Sequence, residues 1–256
     1  MSQDSIKKIL EEGNWYHTFL YKDIKTKGTF DYTNNMSDLN LPSLENLEVL
    51  DVGCSDGFFS KYFVDTLNAK NVTGVDINNY DGEVAFEVLD NYKPQFKDKY
   101  ESHNDFVRLS DAYSDLSLKD ANKFNFIKKI YDIPNISFES GSIYELDKFN
   151  SKDVVFCGSL FEHLRNPITA MEQLLFATKK FCIIDISNTF KSFRIGNKPY
   201  IEYTNSGGNF FKYSENSVLQ MMSNVGFKKV KILSSYKIKI EKYGYKIPHS
   251  VFIGYK

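Results

Sequence analysis

Two glycines and two aspartates are spaced as in a turn that binds a nucleoside-containing ligand. The stretch Asp51-Val-Gly53-Cys-Ser55-Asp-Gly57 follows an apolar run, and residues 58–67 continue at helical spacing. Glycine allows tight turning and close backbone approach, while free amides at a helix N-terminus attract a carboxylate or a phosphate. Asp76 lies 23 residues beyond Gly53, and its carboxylate could accept hydrogen bonds from both hydroxyls of a ribose.

Three ligand classes compete for a glycine-rich turn of this kind. A dinucleotide such as NAD normally requires G-x-G-x-x-G, but Ser55 occupies the position of the middle glycine. A phosphate-binding P-loop requires a lysine after its second glycine, whereas Phe58 follows Gly57. S-adenosylmethionine has a carboxylate, an ammonium and a ribose but no pyrophosphate. A D-x-G-x-x-x-G turn without the middle glycine, as in this chain, therefore suits it. An ordinary tight turn is the remaining alternative, and the acidic residues Asp51 and Asp76 argue against it.

Longer stretches of the sequence resemble a known enzyme family. VLDVGCSDGFFS resembles motif I of class I S-adenosylmethionine-dependent methyltransferases, and VTGVDI resembles their second-strand motif. Residues 15–18, 26–32 and 153–167 are similar to the tRNA wobble-uridine methyltransferase-like family. The resemblance implies methyl transfer from S-adenosylmethionine, and it is specific for this reaction but not for the acceptor.

Three functions are compatible with this resemblance. The tRNA-modifying branch resembles a longer chain with a larger N-terminal region, whereas the segment before the first predicted strand is short here. We therefore expect O-methylation of a small molecule, such as a sugar, nucleotide or phosphoramidate precursor of surface polysaccharide. A tRNA wobble-uridine methyltransferase is the first alternative, and an inactive cofactor-binding scaffold is the second.

The resemblance also implies which residues hold the cofactor. Gly53, Ser55 and Gly57 would frame the methionine moiety. Asp51 would orient the turn or contact the ammonium, and Asp76 would hold the ribose. The other predicted cofactor contacts follow the second, third and fourth strands: Ile77, Gly141, Ser142, Ile143, Cys157 and Gly158. Core packing is the alternative for the two isoleucines, and the cysteine is expected to line the pocket rather than act as a nucleophile.

Catalysis and acceptor binding are predicted from residues near the same strand ends. His163 is the first predicted general base because it follows the fourth strand, where an open parallel sheet faces its ligand crevice. His17 is the second predicted base, and a structural role is the alternative. Arg165 would either bind an anionic acceptor or pair with Glu162 at the surface. The remaining predicted acceptor contacts are Trp15, Tyr16, Tyr200, Tyr203 and Asn209. Trp15 and Tyr16 could instead be packing residues that cover the end of the sheet.

Alternating strands and helices must position these residues. Seven strands are predicted at residues 47–52, 71–76, 135–139, 153–157, 181–186, 228–236 and 249–255. Helices are predicted at residues 5–12, 58–67, 166–179 and 214–225, with Ser5, Asn166 and Ser214 as N-caps. This pattern predicts an α/β fold: a Rossmann-like seven-stranded, mostly parallel sheet with a C-terminal antiparallel hairpin strand and helices on both faces.

The chain divides into two predicted parts. Residues 1–44 form an N-terminal helix and an aromatic cover segment, and residues 45–256 form the class I methyltransferase domain. Residues 81–120 are polar and fit the alternating pattern poorly. Long connections of this kind are often lids or binding segments, and a variable surface insertion is the alternative.

Composition narrows the range of partners. The 256 residues include 33 acidic and 32 basic ones, so the chain lacks the positive charge of a dedicated nucleic-acid binder. The three cysteines form no C-x-x-C pair, and neither a disulfide framework nor a metal site is predicted. The N-terminus lacks the apolar stretch of a signal peptide, and no apolar run is long enough to span a bilayer. We therefore expect a cytoplasmic protein with a small-molecule acceptor, without a metal or a membrane partner, and with tRNA as the less favoured partner.

Overall fold

The computed structural model describes residues 2–77, 120–187, 189–190, 198–206, 209–240 and 244–256. The α-helices in these ranges are α1 (Gln3–Glu12), α2 (Phe58–Asp65), α3 (Asp120–Ile130), α4 (Pro167–Ala177) and α5 (Glu215–Val225). The strands are β1 (Trp15–His17), β2 (Leu20–Tyr21), β3 (Ile24–Lys25), β4 (Gly28–Phe30), β5 (Glu48–Val52), β6 (Asn71–Asp76), β7 (Ile136–Ser140), β8 (Lys152–Gly158), β9 (Thr178–Ser187), β10 (Ile201–Ser206), β11 (Asn209–Tyr213), β12 (Lys228–Lys239) and β13 (Lys246–Tyr255). Short 3₁₀ helices are formed by Met36–Leu39, Ile143–Lys148 and Phe161–His163. Apart from Asp120, which begins α3, the predicted insertion at residues 81–120 lies outside the described residues.

Seven strands form the central sheet in the order β12-β13-β9-β8-β5-β6-β7. The five strands from β9 to β7 are mutually parallel, and β13 is antiparallel to both β9 and β12. The predicted seven-stranded sheet with a C-terminal antiparallel hairpin is therefore confirmed. The strand order reverses between β5 and β8, which places the ligand crevice at the carboxyl ends of these strands.

Apolar side chains cover both faces of this sheet, as expected for parallel strands buried on both sides. One buried cluster joins the sheet to α4 and α5 through residues such as Met171, Leu174 and Met222. The other joins the opposite face to α2 and α3 through Phe63 and Phe124. Helices therefore pack on both faces, as predicted, and hold the strand ends in fixed positions.

The helix boundaries follow capping chemistry more closely than apolar spacing. Asn166 caps α4 by accepting a hydrogen bond from the amide of Thr169, and Ser214 caps α5, as predicted. The predicted cap Ser5 is wrong, because α1 begins two residues earlier and Ser2 accepts a hydrogen bond from the Ser5 amide. The predicted helix over 166–179 is too long, because Thr178 already begins β9.

Strands β1 to β4, between α1 and β5, form small sheets of their own beside the carboxyl ends of the central sheet. Strand β1 pairs in parallel with β4, and β2 pairs with β3. Phe30 at the end of β4 forms an isolated antiparallel bridge with Ile240, next to the end of β12. Trp15, Phe19 and Ile127 belong to a third apolar cluster that anchors these strands between α1 and α3.

Two further features concern the described part of the chain as a whole. None of its helices has both the length and the apolar character needed to cross a membrane. Its His, Cys, Asp and Glu side chains form no group of three or more that could hold a metal ion.

Candidate active site

The turn after β5 contains three residues with positive φ. Gly53 and Gly57 have φ of 77° and 83°, and Ser55 has φ of 46°. The left-handed region is unfavourable for a residue with a side chain, and such strain is typical of ligand sites. The amide of Gly53 donates to the Val75 carbonyl at 2.8 Å, which fixes the turn against the end of β6. A Cβ atom on Gly53 would lie 3.0 Å from Cδ2 of Leu160, so the backbone here closely approaches the loop after β8.

Asp76, the predicted ribose ligand, ends β6 beside this turn. Its Oδ2 accepts a hydrogen bond from the backbone amide of Ser55 at 2.8 Å, and the residue is partly exposed. A carboxylate has about four acceptor positions, so Asp76 can hold the turn and still accept from ribose hydroxyls. The structure thus brings these two predicted cofactor residues into direct contact.

Asp51 lies inside the protein at the base of the turn. Its side chain is buried, and Oδ2 accepts a hydrogen bond from the Ser60 hydroxyl of α2 at 2.6 Å. Burial raises the pKa of Asp51 to about 6, while the hydrogen bond from Ser60 acts in the opposite direction. Of the two roles predicted for Asp51, this contact supports orientation of the turn, because it ties β5 to α2.

Sequence reasoning missed Asp56, although this residue lies within the turn motif. Its buried Oδ2 accepts hydrogen bonds from the amides of Tyr16 at 3.1 Å and His17 at 2.9 Å. Oδ1 lies 2.6 Å from Nδ1 of His17, whose ring stacks on Phe58 with 4.9 Å between centroids. One carboxylate therefore fixes the predicted cover segment over the start of α2. An acidic residue inside a glycine-rich turn is the signal that could have identified it.

The predicted adenine-side residues follow β6 and β7. Gly141 and Ser142 come directly after β7, and the Ser142 hydroxyl caps the following 3₁₀ helix. Ile77 is exposed after β6, whereas Ile143 is buried in the core. Strands β6 and β7 are parallel neighbours, so these residues and Asp76 lie at the same edge of the sheet.

The loop after β8 borders the turn from the other side. Cys157 is buried near the end of β8, and burial raises the pKa of its thiol well above the ordinary value. A thiol of this kind is a poor nucleophile, as expected. Gly158 ends β8, and the next residue, Ser159, has φ of 48°. The two turns that flank the crevice therefore each hold a serine in the left-handed region.

The predicted acceptor residues beyond β8 are grouped beside a small hairpin. His163 ends the 3₁₀ helix and is partly exposed, and Arg165 is exposed with its guanidinium 4.9 Å from the centroid of the Phe210 ring. Strands β10 and β11 form the hairpin, and the hydroxyl of Tyr213 in β11 donates to the Phe161 carbonyl at 3.3 Å. This bond ties the hairpin to the loop that contains His163.

Three further predicted acceptor residues belong to this hairpin or adjoin it. Tyr203 in β10 is exposed, as is Tyr200 just before β10. Asn209 begins β11, and among the described residues its buried Oδ1 has no hydrogen-bond partner. Glu162, in contrast, is buried. The alternative in which Glu162 forms a surface pair with Arg165 is therefore wrong.

The two aromatic residues predicted in the cover segment have different surroundings. Trp15 is only 1% exposed, and its ring packs against Phe19 and Phe126 in the third apolar cluster. This is the packing role given as the alternative for Trp15. Tyr16 is partly exposed, with its ring 4.8 Å from that of His17 and 5.0 Å from that of Phe30. Tyr16 is thus the one of the two that borders the cofactor turn.

A second group of buried polar residues was also missed. Asp185 and Ser187 lie at the carboxyl end of β9, and Tyr236 and His249 lie in β12 and β13. The register pairs His249 with Ser187 and with Tyr236, so all four lie at one edge of the sheet. A histidine in an otherwise apolar strand and an acid near a strand end were signals that could have identified them.

The residues of the turn fit S-adenosylmethionine. The N-cap of α2 is Gly57, which has no side chain to accept from the first amides of the helix, so a carboxylate could bind there. Asp76 stands beside the turn as an acceptor for ribose hydroxyls. The turn offers no lysine for a triphosphate and no middle glycine for a pyrophosphate.

Comparisons with known proteins agree with this fit. A family model described as "Methyltransferase domain" matches residues 30–232. The N-terminal domain of EvdMO1, crystallised in the presence of S-adenosylhomocysteine and D-fucose, is similar with a TM-score of 0.61 and 11% identity over 100% of this chain and 97% of that chain. YcgJ from Bacillus subtilis has a TM-score of 0.57 and 11% identity over 86% of this chain and 95% of its own. At these identities the likeness shows the fold alone. No curated protein matches the sequence.

Proposed function

The chain belongs to the methyltransferase-domain family, and from that premise we propose that it methylates a hydroxyl group of a small molecule. It is a methyltransferase that uses S-adenosylmethionine as its methyl donor. The proposed acceptors are a sugar, nucleotide or phosphoramidate precursor of surface polysaccharide. The presence of D-fucose in the EvdMO1 crystals supports testing sugars first.

The aromatic cover over the cofactor turn is the observation that carries this proposal. Asp56 fixes His17 in place, and buried Tyr32 packs against Phe58 and Phe59 at the start of α2, with 5.8 and 5.3 Å between ring centroids. A small acceptor can be enclosed beneath such a cover, which also excludes water. A folded tRNA would need the cover to move, and it would normally be bound by an excess of positive charge, which this chain lacks.

Several of the predicted residues have a role in this proposal. Bound S-adenosylmethionine supplies a methyl group on a positively charged sulfur. The turn from Gly53 to Gly57 would bind the methionine carboxylate, and Asp76 would hold the ribose. His163 is the predicted base for the acceptor hydroxyl, with His17 as the second candidate. Arg165 would bind a phosphate carried by the acceptor, because a guanidinium matches phosphate geometry.

Transfer of a labelled methyl group tests the proposal directly. The protein is incubated with methyl-labelled S-adenosylmethionine and separate panels of sugars, sugar nucleotides and phosphorylated sugars, with undermodified tRNA in parallel. We expect label in a small hydroxyl acceptor and none in tRNA. Label in tRNA alone would reject the small-molecule acceptor in favour of wobble-uridine modification. Absence of label from every panel, despite binding of S-adenosylhomocysteine, would favour the inactive scaffold.

The tRNA alternative makes a separate physical prediction. Binding of an anticodon stem-loop through its phosphates releases counterions, so the affinity should fall steeply as salt increases. Fluorescence anisotropy with a labelled stem-loop at low and physiological salt measures this dependence. We expect no specific binding at physiological salt. A tight, salt-sensitive complex with saturable 1:1 binding would contradict the proposal.

A further inference from the structure

A group of buried polar side chains lies at the carboxyl edge of the sheet, and of its members only Tyr32 enters the function proposed so far. This edge cluster consists of Tyr32, Glu162, Asp185, Ser187, Tyr236 and His249, all of which are buried. Burying polar groups is unfavourable unless their hydrogen bonds are satisfied, so such a cluster is unusual in an apolar core. Its residues come from five different parts of the chain, and the sheet brings them together.

Asp185 is the centre of the edge cluster. The hydroxyl of Tyr236 donates to its Oδ2 at 2.6 Å, and Nδ1 of His249 lies 3.2 Å from Oδ1 and 3.3 Å from Oδ2. Burial and the Asp185 carboxylate raise the pKa of Tyr236 well above its ordinary value, so its hydroxyl stays protonated and acts as a donor. A carboxylate that accepts from Nδ1 fixes the imidazole tautomer in which Nε2 carries the lone pair.

Two acceptor atoms of the edge cluster have no hydrogen-bond partner in the part of the chain that the structure describes. These atoms are Nε2 of His249 and Oε2 of Glu162, and both are buried. The other oxygen of Glu162 accepts from the Ser187 hydroxyl, and Ser187 is the register partner of His249. Cross-strand partners share one face of a sheet, so the two unpartnered acceptors belong to one group. Two unpartnered acceptors linked through Ser187 match the donors of two hydroxyl groups on one ligand.

The edge cluster adjoins the cofactor turn. The amide of Ser159 donates to the carbonyl of Asp185 at 2.8 Å, and the next residue, Leu160, is the one that approaches Gly53. Tyr32 packs both on Phe58 after the turn and on Tyr236, with 5.8 and 6.4 Å between ring centroids. A ligand held by His249 and Glu162 would therefore lie next to the cofactor site, across the loop after β8.

We propose that His249 is the catalytic base of this enzyme and that Glu162 binds a second hydroxyl group of the acceptor, which makes the acceptor a polyol such as a sugar. Asp185 is a positioning residue that orients His249. The acceptor oxygen bonds to the methyl carbon as the bond from that carbon to sulfur breaks. The sulfur keeps the electron pair of the broken bond, and the hydroxyl proton moves to Nε2 of His249. The products are a methyl ether and a neutral thioether, and the proton on His249 leaves to solvent with the product.

This inference rests on the proposed function and competes with the predicted roles of His163 and His17. Among the described residues, His249 is the histidine that has both a carboxylate partner for Nδ1 and a buried Nε2 without a hydrogen-bond partner. Asp185 on β9 and Tyr236 on β12 contact His249 directly, and Tyr32 of the cover and Glu162 of the 3₁₀ helix belong to the same cluster. Glu215 and Lys237 line the same cavity as His249. The carboxylates of Asp185 and Glu162 would stabilise the imidazolium that forms when His249 takes the proton.

Kinetics of conservative variants test the assignment. We expect His249→Gln to lower kcat at least about 100-fold, as for loss of a general base, while the dissociation constant for S-adenosylhomocysteine stays unchanged. The rising limb of the pH profile of kcat should disappear with this variant and persist in His163→Gln. Asp185→Asn should lower kcat and alter the 15N signals of His249 through loss of the fixed tautomer. Glu162→Gln should chiefly raise KM for the acceptor.

A binding experiment separates failure of this inference from failure of the proposed function. D-Fucose and inositol are titrated into the complex with S-adenosylhomocysteine, using the wild type, His249→Gln and Glu162→Gln. If both variants weaken polyol binding but no acceptor is methylated, the proposed function is rejected and the inferred acceptor site is supported. Methyl transfer with kcat and KM unchanged in both variants would overturn the inference. Unchanged affinity for S-adenosylhomocysteine shows that each variant is folded.

Discussion

Nδ1 of His17 lies 2.6 Å from Oδ1 of Asp56, so a residue of the cover segment and a residue of the cofactor turn form a buried pair. Oδ2 of the same carboxylate also accepts the amides of Tyr16 and His17. The pair is separated by 39 residues, and it connects the cover to the motif that we propose binds the cofactor. Order in the cover should therefore depend on Asp56.

Replacing Asp56 by alanine should destabilise the protein and weaken cofactor binding together. The change leaves two amides and an imidazole without their acceptor in a buried position, and removing one partner of a buried pair typically costs about 3–5 kcal/mol. Urea unfolding and calorimetry with S-adenosylhomocysteine measure the two effects. Asp56→Asn keeps an acceptor oxygen and should lose less stability. Equal and small losses in both variants would show that the carboxylate does not hold the cover.

Replacing Asp76 by alanine should weaken binding of S-adenosylhomocysteine by about 10- to 100-fold. Hydrogen bonds to a charged group contribute about 1.5–3 kcal/mol, and the variant loses those to the ribose as well as the one that holds Ser55. Calorimetry measures the dissociation constant. Asp147→Ala removes an exposed carboxylate beyond β7 and serves as the control. If Asp76→Ala binds S-adenosylhomocysteine as tightly as the wild type, Asp76 does not hold the ribose.

The sheet and the cofactor turn could be predicted because both depend on local patterns. Apolar runs mark the seven strands of the central sheet, and Asn166 followed by Pro167 marks the start of α4. The boundary between α4 and β9 was missed because no loop separates them: Ala177 ends the helix and Thr178 begins the strand. Apolar spacing alone does not detect a change of backbone geometry between two buried residues.

The buried polar pairs could not be predicted because their partners are far apart in the sequence. Asp185 and His249 are separated by 64 residues, and the register between β9 and β13 alone brings them together. Glu162 follows β8, directly before the predicted base His163, yet its side chain contacts Ser187 on the neighbouring strand β9. Such pairs depend on tertiary packing, which a pattern along one segment does not contain.

The three cysteines should resist thiol reagents in the folded protein. Cys54, Cys157 and Cys182 are buried, and burial raises the pKa of the last two. The thiolate is the reactive form, so reaction requires the protein to open. Reaction with a chromogenic disulfide should therefore be slow in buffer and rapid in urea, with three thiols counted. Rapid reaction of one thiol in buffer would show that the core around it opens readily.

Replacing Asp51 by asparagine should remove part of the pH dependence of stability. The pKa of Asp51 is raised from 3.8 to about 6 in the folded protein, chiefly by burial. Between these two values the folded state binds more protons than the unfolded state, so the free energy of unfolding falls as pH rises. The loss is complete above about pH 6 and amounts to about 3 kcal/mol for this shift.

The asparagine variant keeps an oxygen that can accept from Ser60 but cannot ionise. Urea unfolding from pH 4 to 7.5 should therefore show the variant gaining stability relative to the wild type by about 2.5 kcal/mol over this range. The control Asp23→Asn changes an exposed carboxyl and should leave the difference from the wild type constant with pH. Parallel curves for Asp51→Asn and the wild type would mean that Asp51 is ionised in the folded protein without penalty.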